Sequence, residues 1–239
     1  MKIFSIEICD MGISKFLESI NPDRFMFVVT PNVQHVVFLN KNPSVLNEYQ
    51  KADFTFCDSR VLQLIAKLLK LKIKNVIPGS DLTERLFSSG CLIDRRVMVL
   101  GSDSDSVRLL TEKYSLKDCK CYSPPMGFFD NKYEVDKAIN EVLLFSPEFL
   151  FLAVGFPRQE LLAAMLKEKA NFPCVALCIG ASIDFITGKQ VRAPQWWQNL
   201  RLEWLFRFIS NPRRLFKRYF IEGWGIIPLI YKELMGAKD

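Results

Sequence analysis

The sequence predicts an α/β fold in which a mainly parallel β-sheet is flanked by helices, with a basic, aromatic helical appendage at the C-terminus. Short runs rich in β-branched and aromatic residues alternate with segments whose apolar residues recur every three or four positions. The chain has 239 residues, 49% of them hydrophobic, which suffices for one large core. Its excess positive charge lies entirely near the C-terminus. We therefore expect one large domain followed by a distinct terminal segment.

Predicted strands and helices alternate along the chain. The strands are expected at residues 3–9, 25–30, 54–57, 97–100, 119–122, 149–154 and 175–179. The helices are expected at residues 33–40, 60–71, 82–89, 105–114, 133–145 and 158–169. Because strand, helix and strand follow one another repeatedly, the sheet should be parallel and covered on both faces.

Polar segments follow the predicted strands, at the edge where parallel sheets bind ligands. They lie at residues 30–32, 57–60, 101–106, 124–129, 155–160 and 180–182. Several combine glycine with polar groups, which lets backbone amides approach phosphate, and Gly101 opens one of them. We expect the functional residues in these segments.

Asp58 ends a predicted strand and directly precedes the helix expected from Arg60. Its carboxylate should project into the crevice at the sheet edge, where it can deprotonate a substrate hydroxyl, so Asp58 is the candidate general base. The alternative involves no chemistry, because Asp58 or Ser59 can also cap that helix. Position in the sequence leaves both interpretations open.

Two other strand-to-helix junctions carry short polar side chains. Thr30 and Asn32 flank a proline and can orient a sugar or a diphosphate, although helix capping also explains them. Gly79 and Asp81 open the next predicted helix, where a cap and a binding role can coincide.

A metal site is not expected. The triplet Asp103-Ser104-Asp105 has the DxD pattern that binds divalent cations in many enzymes, but it falls where a helix should begin, and acidic residues favour a first helical turn without any metal. The single histidine, His35, and seven cysteines without paired spacing give no basis for a zinc site or a disulfide framework. A GxGxxG fingerprint for NAD is absent.

Residues 189–239 differ in composition from residues 1–188. They contain 10 basic and 4 acidic residues, whereas residues 1–188 contain 22 of each, and all four tryptophans lie in the tail. Arginine and tryptophan together suit the headgroup layer of an anionic membrane, and the apolar run at 223–231 favours lipid over nucleic acid. The alternative is an ordinary pair of helices, at about residues 195–210 and 212–221, packed on the core with a solvated basic face.

Neither a leader peptide nor a spanning helix is predicted. Glu7 and Asp10 interrupt the apolar run at the N-terminus. The longest apolar stretch, residues 219–231, is shorter than the roughly 20 residues of a spanning helix. We expect a cytoplasmic protein, peripheral on the inner face of the cell membrane.

Several motifs occur in a fixed order between about Thr30 and Tyr219. They are TPN at 30–32, ADFTFCD at 52–58, PGSDL at 78–82, VGFPRQE at 154–160 and a run from GASIDF at 180–185 to PRRLFKRY at 212–219. The series resembles the WecG/TagA/CpsF family of bacterial glycosyltransferases. The run at 180–219 is the most specific part of the resemblance.

The resemblance implies a Rossmann-like, inverting enzyme that uses a UDP-sugar donor and a polyprenyl-diphosphate-linked sugar acceptor, in surface polysaccharide or teichoic acid synthesis. It implies neither a metal nor another cofactor. By position, Asp58 takes the family's general-base role, Thr30 and Asn32 line the active site, and Gln159 lies beside the substrate. The cations expected to close over the donor diphosphate are Arg207, Arg213, Arg214, Lys217 and Arg218. Members of the family self-associate, so a homo-oligomer is a candidate state, and the sequence leaves it open.

Two positions depart from the pattern of many relatives. Ser59-Arg60 follows the aspartate where relatives have Gly-Ile or Gly-Val, and Val76 stands where relatives have an arginine. Lys74 is a candidate substitute for that arginine.

Two alternative functions remain at this stage. A nucleotide-dependent oxidoreductase would need the glycine fingerprint and ribose-binding acid that the sequence lacks. A membrane-associated nucleotide-binding scaffold or regulator would keep the basic tail but gives no reason for Asp58 and Gln159 at strand ends.

Overall fold

A computed structural model of the chain describes residues 1–20, 22–190 and 223–236, with Trp197, Phe206 and Ile209 described individually. The predicted helices at about residues 195–210 and 212–221 therefore lie outside the described residues, apart from those three positions.

Eight strands form two sheets in the described part of the chain. The strands are β1 Lys2–Ile3, β2 Ile6–Glu7, β3 Phe25–Val29, β4 Phe54–Thr55, β5 Arg96–Leu100, β6 Asp118–Tyr122, β7 Phe149–Leu152 and β8 Cys174–Cys178. β1 and β2 form an antiparallel hairpin. The other six form one sheet in the order β4-β3-β8-β7-β5-β6, and all of its neighbouring pairs are parallel. The predicted parallel sheet is confirmed.

Helices cover both faces of this sheet. They are α1 Ile13–Ser19, α2 Val33–Lys41, α3 Pro43–Tyr49, α4 Arg60–Leu68, α5 Gly79–Ser88, α6 Ser104–Tyr114, α7 Lys132–Phe145, α8 Arg158–Lys169, α9 Ser182–Ile186 and α10 Ile226–Gly236. Short 3₁₀ turns occupy Phe128–Asp130 and Gly223–Gly225.

The side chains of the central strands alternate between two hydrophobic layers. In β3, Phe25, Phe27 and Val29 face a layer shared with α2, α3, α4, α7 and α8, which we call the α2 side. Val28 faces the opposite layer, shared with α1, α5, α6 and α9, which we call the α5 side. Because successive side chains of a strand point to opposite faces, a strand buried on both faces is apolar throughout. β7 and β8 show this most clearly, since every residue in them is buried.

The structure corrects several predicted boundaries. The predicted strand at 3–9 is a hairpin, because Phe4 and Ser5 adopt left-handed backbone angles (φ 48° and 68°) and reverse the chain. The helix predicted at 60–71 ends at Leu68, and Lys70 behind it is also left-handed (φ 60°). The helices α1, α3, α9 and α10 were not predicted. Three of them have only five or seven residues, too few for a clear helical period.

The C-terminal helix α10 returns to the core. Ile226 is buried among residues of the α2 side, and the backbone N–H of Phe4 donates to Glu233 Oε1 at 3.2 Å. A Cβ added at Gly225 would lie 2.5 Å from Val37 Cγ1 of α2, so only glycine permits this approach. Over the residues that the structure describes, no helix is long and apolar enough to cross a membrane. The division of the chain at residues 188 and 189 remains a prediction.

Candidate active site

The candidate site lies at the carboxyl edge of the sheet, between the neighbouring strands β3 and β8, and we call this edge the crevice. The chain leaves β3 through Thr30 towards α2, on one side of the sheet, and leaves β8 through Gly180 towards α9, on the other. Where the connections after two adjacent parallel strands diverge in this way, the edge between them is open to a ligand. Four of the polar residues selected from the sequence lie on the segments around this edge: Asp58, Thr30, Asn32 and Gln159.

Asp58 lies half-buried at this edge, after β4. Its Oδ1 accepts a hydrogen bond of 3.1 Å from the backbone N–H of Gly79, the first residue of α5. The helix that follows Asp58 is instead capped by Ser59, whose Oγ accepts from Leu62 N–H at 3.2 Å. Asp58 is therefore not needed as the cap of α4. Its carboxylate instead lies at the N-terminus of α5, beside the segments that follow β3 and β8.

Gly79 brings α5 into contact with two other parts of the crevice. A Cβ added at Gly79 would lie 3.0 Å from Thr30 Oγ1 and 3.9 Å from Ser182 Oγ. Ser182 Oγ donates to the carbonyl of Ile179 at 2.6 Å, which holds the segment after β8 in place. The structure thus brings together Asp58, Thr30, Gly79 and Ser182 from four segments that are distant in the sequence.

Asn32 caps α2. Its Oδ1 accepts hydrogen bonds from the backbone N–H groups of Gln34 at 3.0 Å and His35 at 3.3 Å. This is the capping role that the sequence left open, and it fixes the start of α2 beside Thr30. A substrate contact by Asn32 remains a prediction.

Gln159 connects two strand ends through its amide. Its Oε1 accepts from the backbone N–H of Gly180 at 3.0 Å, and its Nε2 donates to Glu160 Oε1 at 3.0 Å. Gly180 has a left-handed backbone (φ 53°), which glycine adopts readily, and the bond from its N–H holds this turn at the crevice. Gln159 is itself buried, and its place beside the substrate remains a prediction.

Glu160, which the sequence analysis did not select, is a buried carboxyl group behind this turn. Burial raises its pKa to about 7. Its Oε2 and the hydroxyl of Tyr49 are buried without a hydrogen-bond partner in the part of the chain that the structure describes. The only signal in the sequence was its place next to Gln159, because burial cannot be read from a glutamate in an amphipathic segment.

The other half of the carboxyl edge, after β5, is packed rather than open. Gly101 has a φ of 99°, and a Cβ there would lie 2.4 Å from Val154 Cγ1. Asp103 caps α6 by accepting from Ser106 N–H at 2.9 Å, and Lys189 Nζ donates to it at 2.6 Å. The bond from Lys189 and those from Ser106 hold the pKa of Asp103 far below its usual value. No group of three or more potential metal ligands occurs among the described residues.

A cavity of about 800 Å³ lies beside the crevice, between the start of α1, the segment before α5, and α5 itself. Asp81, selected from the sequence, lines it, and its Oδ1 accepts from Ser80 Oγ at 3.5 Å. Val76 also lines the cavity, whereas Lys74 does not belong to its lining. Among the described residues, the lining includes the cations Lys15 and Arg85, neither of which was selected from the sequence, and the carboxylates of Asp81 and Glu84.

The selected cations of the tail lie outside the described residues. They are Arg207, Arg213, Arg214, Lys217 and Arg218.

Comparisons with known proteins identify a family for the chain. The family model described as "Glycosyl transferase WecG/TagA/CpsF family" matches residues 1–239. A protein of Staphylococcus aureus (strain MW2) is 24% identical over 193 residues, which cover 80% of this chain and 74% of that protein. A protein of Bacillus spizizenii (strain W23) is 24% identical over 222 residues, which cover 89% of this chain and 84% of that protein. Both are named N-acetylglucosaminyldiphosphoundecaprenol N-acetyl-beta-D-mannosaminyltransferase.

Proposed function

Because the chain belongs to the WecG/TagA/CpsF family of glycosyl transferases, we propose that it transfers a sugar from a UDP-sugar to a polyprenyl-diphosphate-linked acceptor, with inversion at the anomeric carbon. The names of the two relatives favour N-acetylmannosamine as the transferred sugar and undecaprenyl-diphosphate-linked N-acetylglucosamine as the acceptor. We assign the reaction to the synthesis of a surface polysaccharide or teichoic acid.

The position of Asp58 carries this proposal. Its carboxylate lies at the open carboxyl edge, held by Gly79 N–H at 3.1 Å, next to the hydroxyl-bearing residues Thr30 and Ser182. An inverting transfer requires one base close to the acceptor hydroxyl, and a half-buried carboxylate at a crevice meets that requirement. Thr30, on the other side of Gly79, is placed to orient the acceptor or the donor.

In the proposed step, the acceptor hydroxyl attacks the anomeric carbon from the face opposite UDP. The new bond joins the acceptor oxygen to the anomeric carbon while the bond to the UDP phosphate oxygen breaks. The hydroxyl proton passes to Asp58, and the electron pair of the broken bond leaves with UDP. Negative charge therefore grows on the diphosphate, and cationic side chains accelerate its departure.

We assign this stabilisation to the cations of the tail, Arg207 and Arg214 above all, with Arg213, Lys217 and Arg218 beside them. Arginine can bind a diphosphate bidentately, so no metal is required in this scheme. In the same scheme residues 1–188 form the catalytic domain, and residues 189–239 close over it at the inner face of the membrane.

The cavity of about 800 Å³ beside the crevice is the proposed place for the sugar of one substrate. The cavity adjoins the site through α5. Asp81 of this helix lines the cavity, and Gly79, its first residue, donates its backbone N–H to Asp58. Arg85 and Lys15 supply positive charge there, at the side where Val76 replaces an arginine expected from the family resemblance.

The test is a UDP-release assay with UDP-N-acetylmannosamine, with and without a short-chain lipid diphosphate carrying N-acetylglucosamine. We expect release only with acceptor, and loss of release when Arg207 and Arg214 are both changed to glutamate. A thermal-shift panel of UDP-sugars identifies the donor, since a ligand at 100 times its Kd stabilises by about 2.7 kcal/mol. Absence of acceptor-dependent release with every UDP-sugar that binds would contradict the proposal.

A further inference from the structure

An apolar stripe is exposed on α4, the helix that begins two residues after Asp58. Val61, Leu64 and Leu68 have exposed fractions of 41%, 47% and 60%. They recur at three- and four-residue spacing, so they lie on one face of the helix. Leu62 and Ala66, on the opposite side, are buried on the sheet. The stripe is thus separate from the face that packs α4 on the protein.

Positive charge surrounds this stripe. Five basic residues in and just after α4 are exposed: Arg60, Lys67, Lys70, Lys72 and Lys74. The sequence contains no acidic residue from 59 to 80. Within the part of the chain that the structure describes, none of the five has a carboxylate within ion-pair distance. We call the stripe and these five cations the α4 surface.

The α4 surface begins at the candidate active site. Ser59 separates Asp58 from the helix and caps it, so a ligand bound along α4 lies next to the crevice. A helix with one apolar face and flanking cations lies in the plane of a membrane interface, with the apolar side chains towards the acyl chains.

We propose that the α4 surface docks on an anionic phospholipid bilayer, with the leucines at the acyl boundary and the lysines at the lipid phosphates. Docking through α4 would bring Asp58 close to the lipid headgroups, where a lipid-linked acceptor presents its sugar. This consequence for Asp58 rests on the proposed function. The docking itself does not depend on the reaction. The basic residues of the α4 surface are also different from those of the tail, which begin at Lys189.

Two other partners for such a face are a second copy of the chain and a nucleic acid, and the composition of the α4 surface argues against both. A second copy of the chain packed symmetrically on α4 would place five cations against five cations, which repel. A nucleic acid would satisfy the lysines but leave three large aliphatic side chains in contact with water or phosphate. An anionic bilayer offers apolar chains and phosphates in the same layered order as the α4 surface.

The experiment measures partitioning of the full-length protein to sedimented vesicles of phosphatidylcholine with and without phosphatidylglycerol. One variant carries Leu64→Ser and Leu68→Ser, and a second carries Lys67→Gln, Lys70→Gln and Lys72→Gln. The matched control carries Leu109→Ser and Leu144→Ser, two leucines of α6 and α7 that are also exposed, at 41% and 81%. All variants are compared by thermal denaturation.

We expect the lysine variant to bind the anionic vesicles on the order of 100-fold more weakly, since each basic residue near such a surface contributes about fivefold. The leucine variant should bind the same vesicles at least about tenfold more weakly than the wild type does. The control should bind like the wild type. With a water-soluble acceptor analogue, both α4 variants should keep wild-type turnover.

Three results would overturn the proposal. Unchanged vesicle binding in both α4 variants rejects the surface outright. Dissociation of an oligomer, seen by sedimentation, without a change in vesicle binding assigns the stripe to a second copy. A fall in melting temperature together with unchanged vesicle binding assigns it to contact with another segment of the chain. If vesicle binding falls as expected while no UDP-sugar is turned over, the surface stands and the proposed function fails.

Discussion

The two halves of the carboxyl edge carry similar residues and use them differently. After β3, β4 and β8, a carboxylate, two hydroxyls and a helix N-terminus meet around Gly79, where the connecting helices diverge, and we call this the open half. After β5, the edge also has a glycine followed by acidic residues, but Gly101 lies against Val154 and Asp103 is bonded to Ser106 and Lys189.

The direction of the connecting helices explains the difference. α2 and α9 leave the neighbouring strands β3 and β8 on opposite sides of the sheet, the arrangement at which parallel sheets bind ligands. After β5, the backbone of residues 153 and 154 comes within 3.0 Å of the position of a Gly101 Cβ and fills the equivalent space. Glycine next to an acid therefore indicates a binding site only where no neighbouring strand end fills the edge.

The largest expected contrast is in turnover between Asp58→Asn and Asp103→Asn. Asparagine keeps the shape of both side chains and can still accept a backbone hydrogen bond, but it cannot take a proton at the crevice. We expect Asp58→Asn to lose at least about 100-fold in kcat, and Asp103→Asn to stay within a fewfold of wild type. Initial rates of UDP release measure both, with thermal melts as the folding control. Equal rates for Asp58→Asn and wild type across pH would place the base elsewhere.

The next contrast concerns the buried carboxyl group behind the open half. Glu160 has a pKa near 7 in the folded protein, against 4.5 for an ordinary glutamate, so the folded state retains a proton that the unfolded state loses. The contribution of protonated Glu160 to the free energy of unfolding is therefore fully present below pH 4.5. It is lost as the pH rises towards 7, by on the order of 3 kcal/mol. Glu160→Gln should remove this fall, since it cannot ionise.

Urea denaturation of Glu160→Gln and wild type at pH 5 and pH 8 measures this effect. Tyr49 and Cys178 interact electrostatically with Glu160. The pKa values of both are raised well above their ordinary range, so neither group titrates between pH 5 and pH 8. If the free energy of unfolding of Glu160→Gln exceeds that of the wild type by the same amount at pH 5 and pH 8, Glu160 is ionised in the folded protein at both pH values.

A pair of glycine substitutions compares the two halves directly. Gly101→Ala forces a Cβ to 2.4 Å from Val154 Cγ1 with a positive φ, and we expect it to lose about 2 kcal/mol of stability. Gly79→Ala places a Cβ 3.0 Å from Thr30 Oγ1 at an ordinary helical position, so stability should change by less than about 1 kcal/mol. Its effect should appear in turnover, because the Thr30 hydroxyl must move. The comparison fails if Gly101→Ala is the more stable of the two.

The smallest effect is expected at the acidic triplet of the packed half. Asp103→Ala removes the cap of α6 and should cost about 1 kcal/mol. The ion pair with Lys189 is half-exposed and adds little to that. Activity of the wild type should be insensitive to EDTA, because Asp103 is bonded to protein groups. Inhibition by EDTA that Mg²⁺ or Mn²⁺ reverses, and that Asp103→Ala abolishes, would show that the triplet binds a cation.

Much of the sheet could be predicted because its signals are local. The strands at 25–30, 97–100 and 175–179 were placed within one residue of β3, β5 and β8, since each is an apolar run that is largely buried. The strand at 3–9 was wrong because the chain reverses at Phe4 and Ser5, where a single serine is too weak a turn signal to interrupt an apolar run. Short helices such as α3 were missed because seven residues do not establish a helical period.

By itself, the sequence determined the strands of the parallel sheet, the longer helices between them, and the polar segments at the carboxyl edge, because periodicity and turn residues act over a few positions. Only the tertiary structure decided which of those segments meet. It placed Gly79 N–H on Asp58 and gave the capping of α4 to Ser59. It also filled the edge at Gly101 with Val154 and buried Glu160 behind Gln159. These contacts join residues that are distant in the sequence, or depend on burial by several elements at once, and no local pattern encodes them.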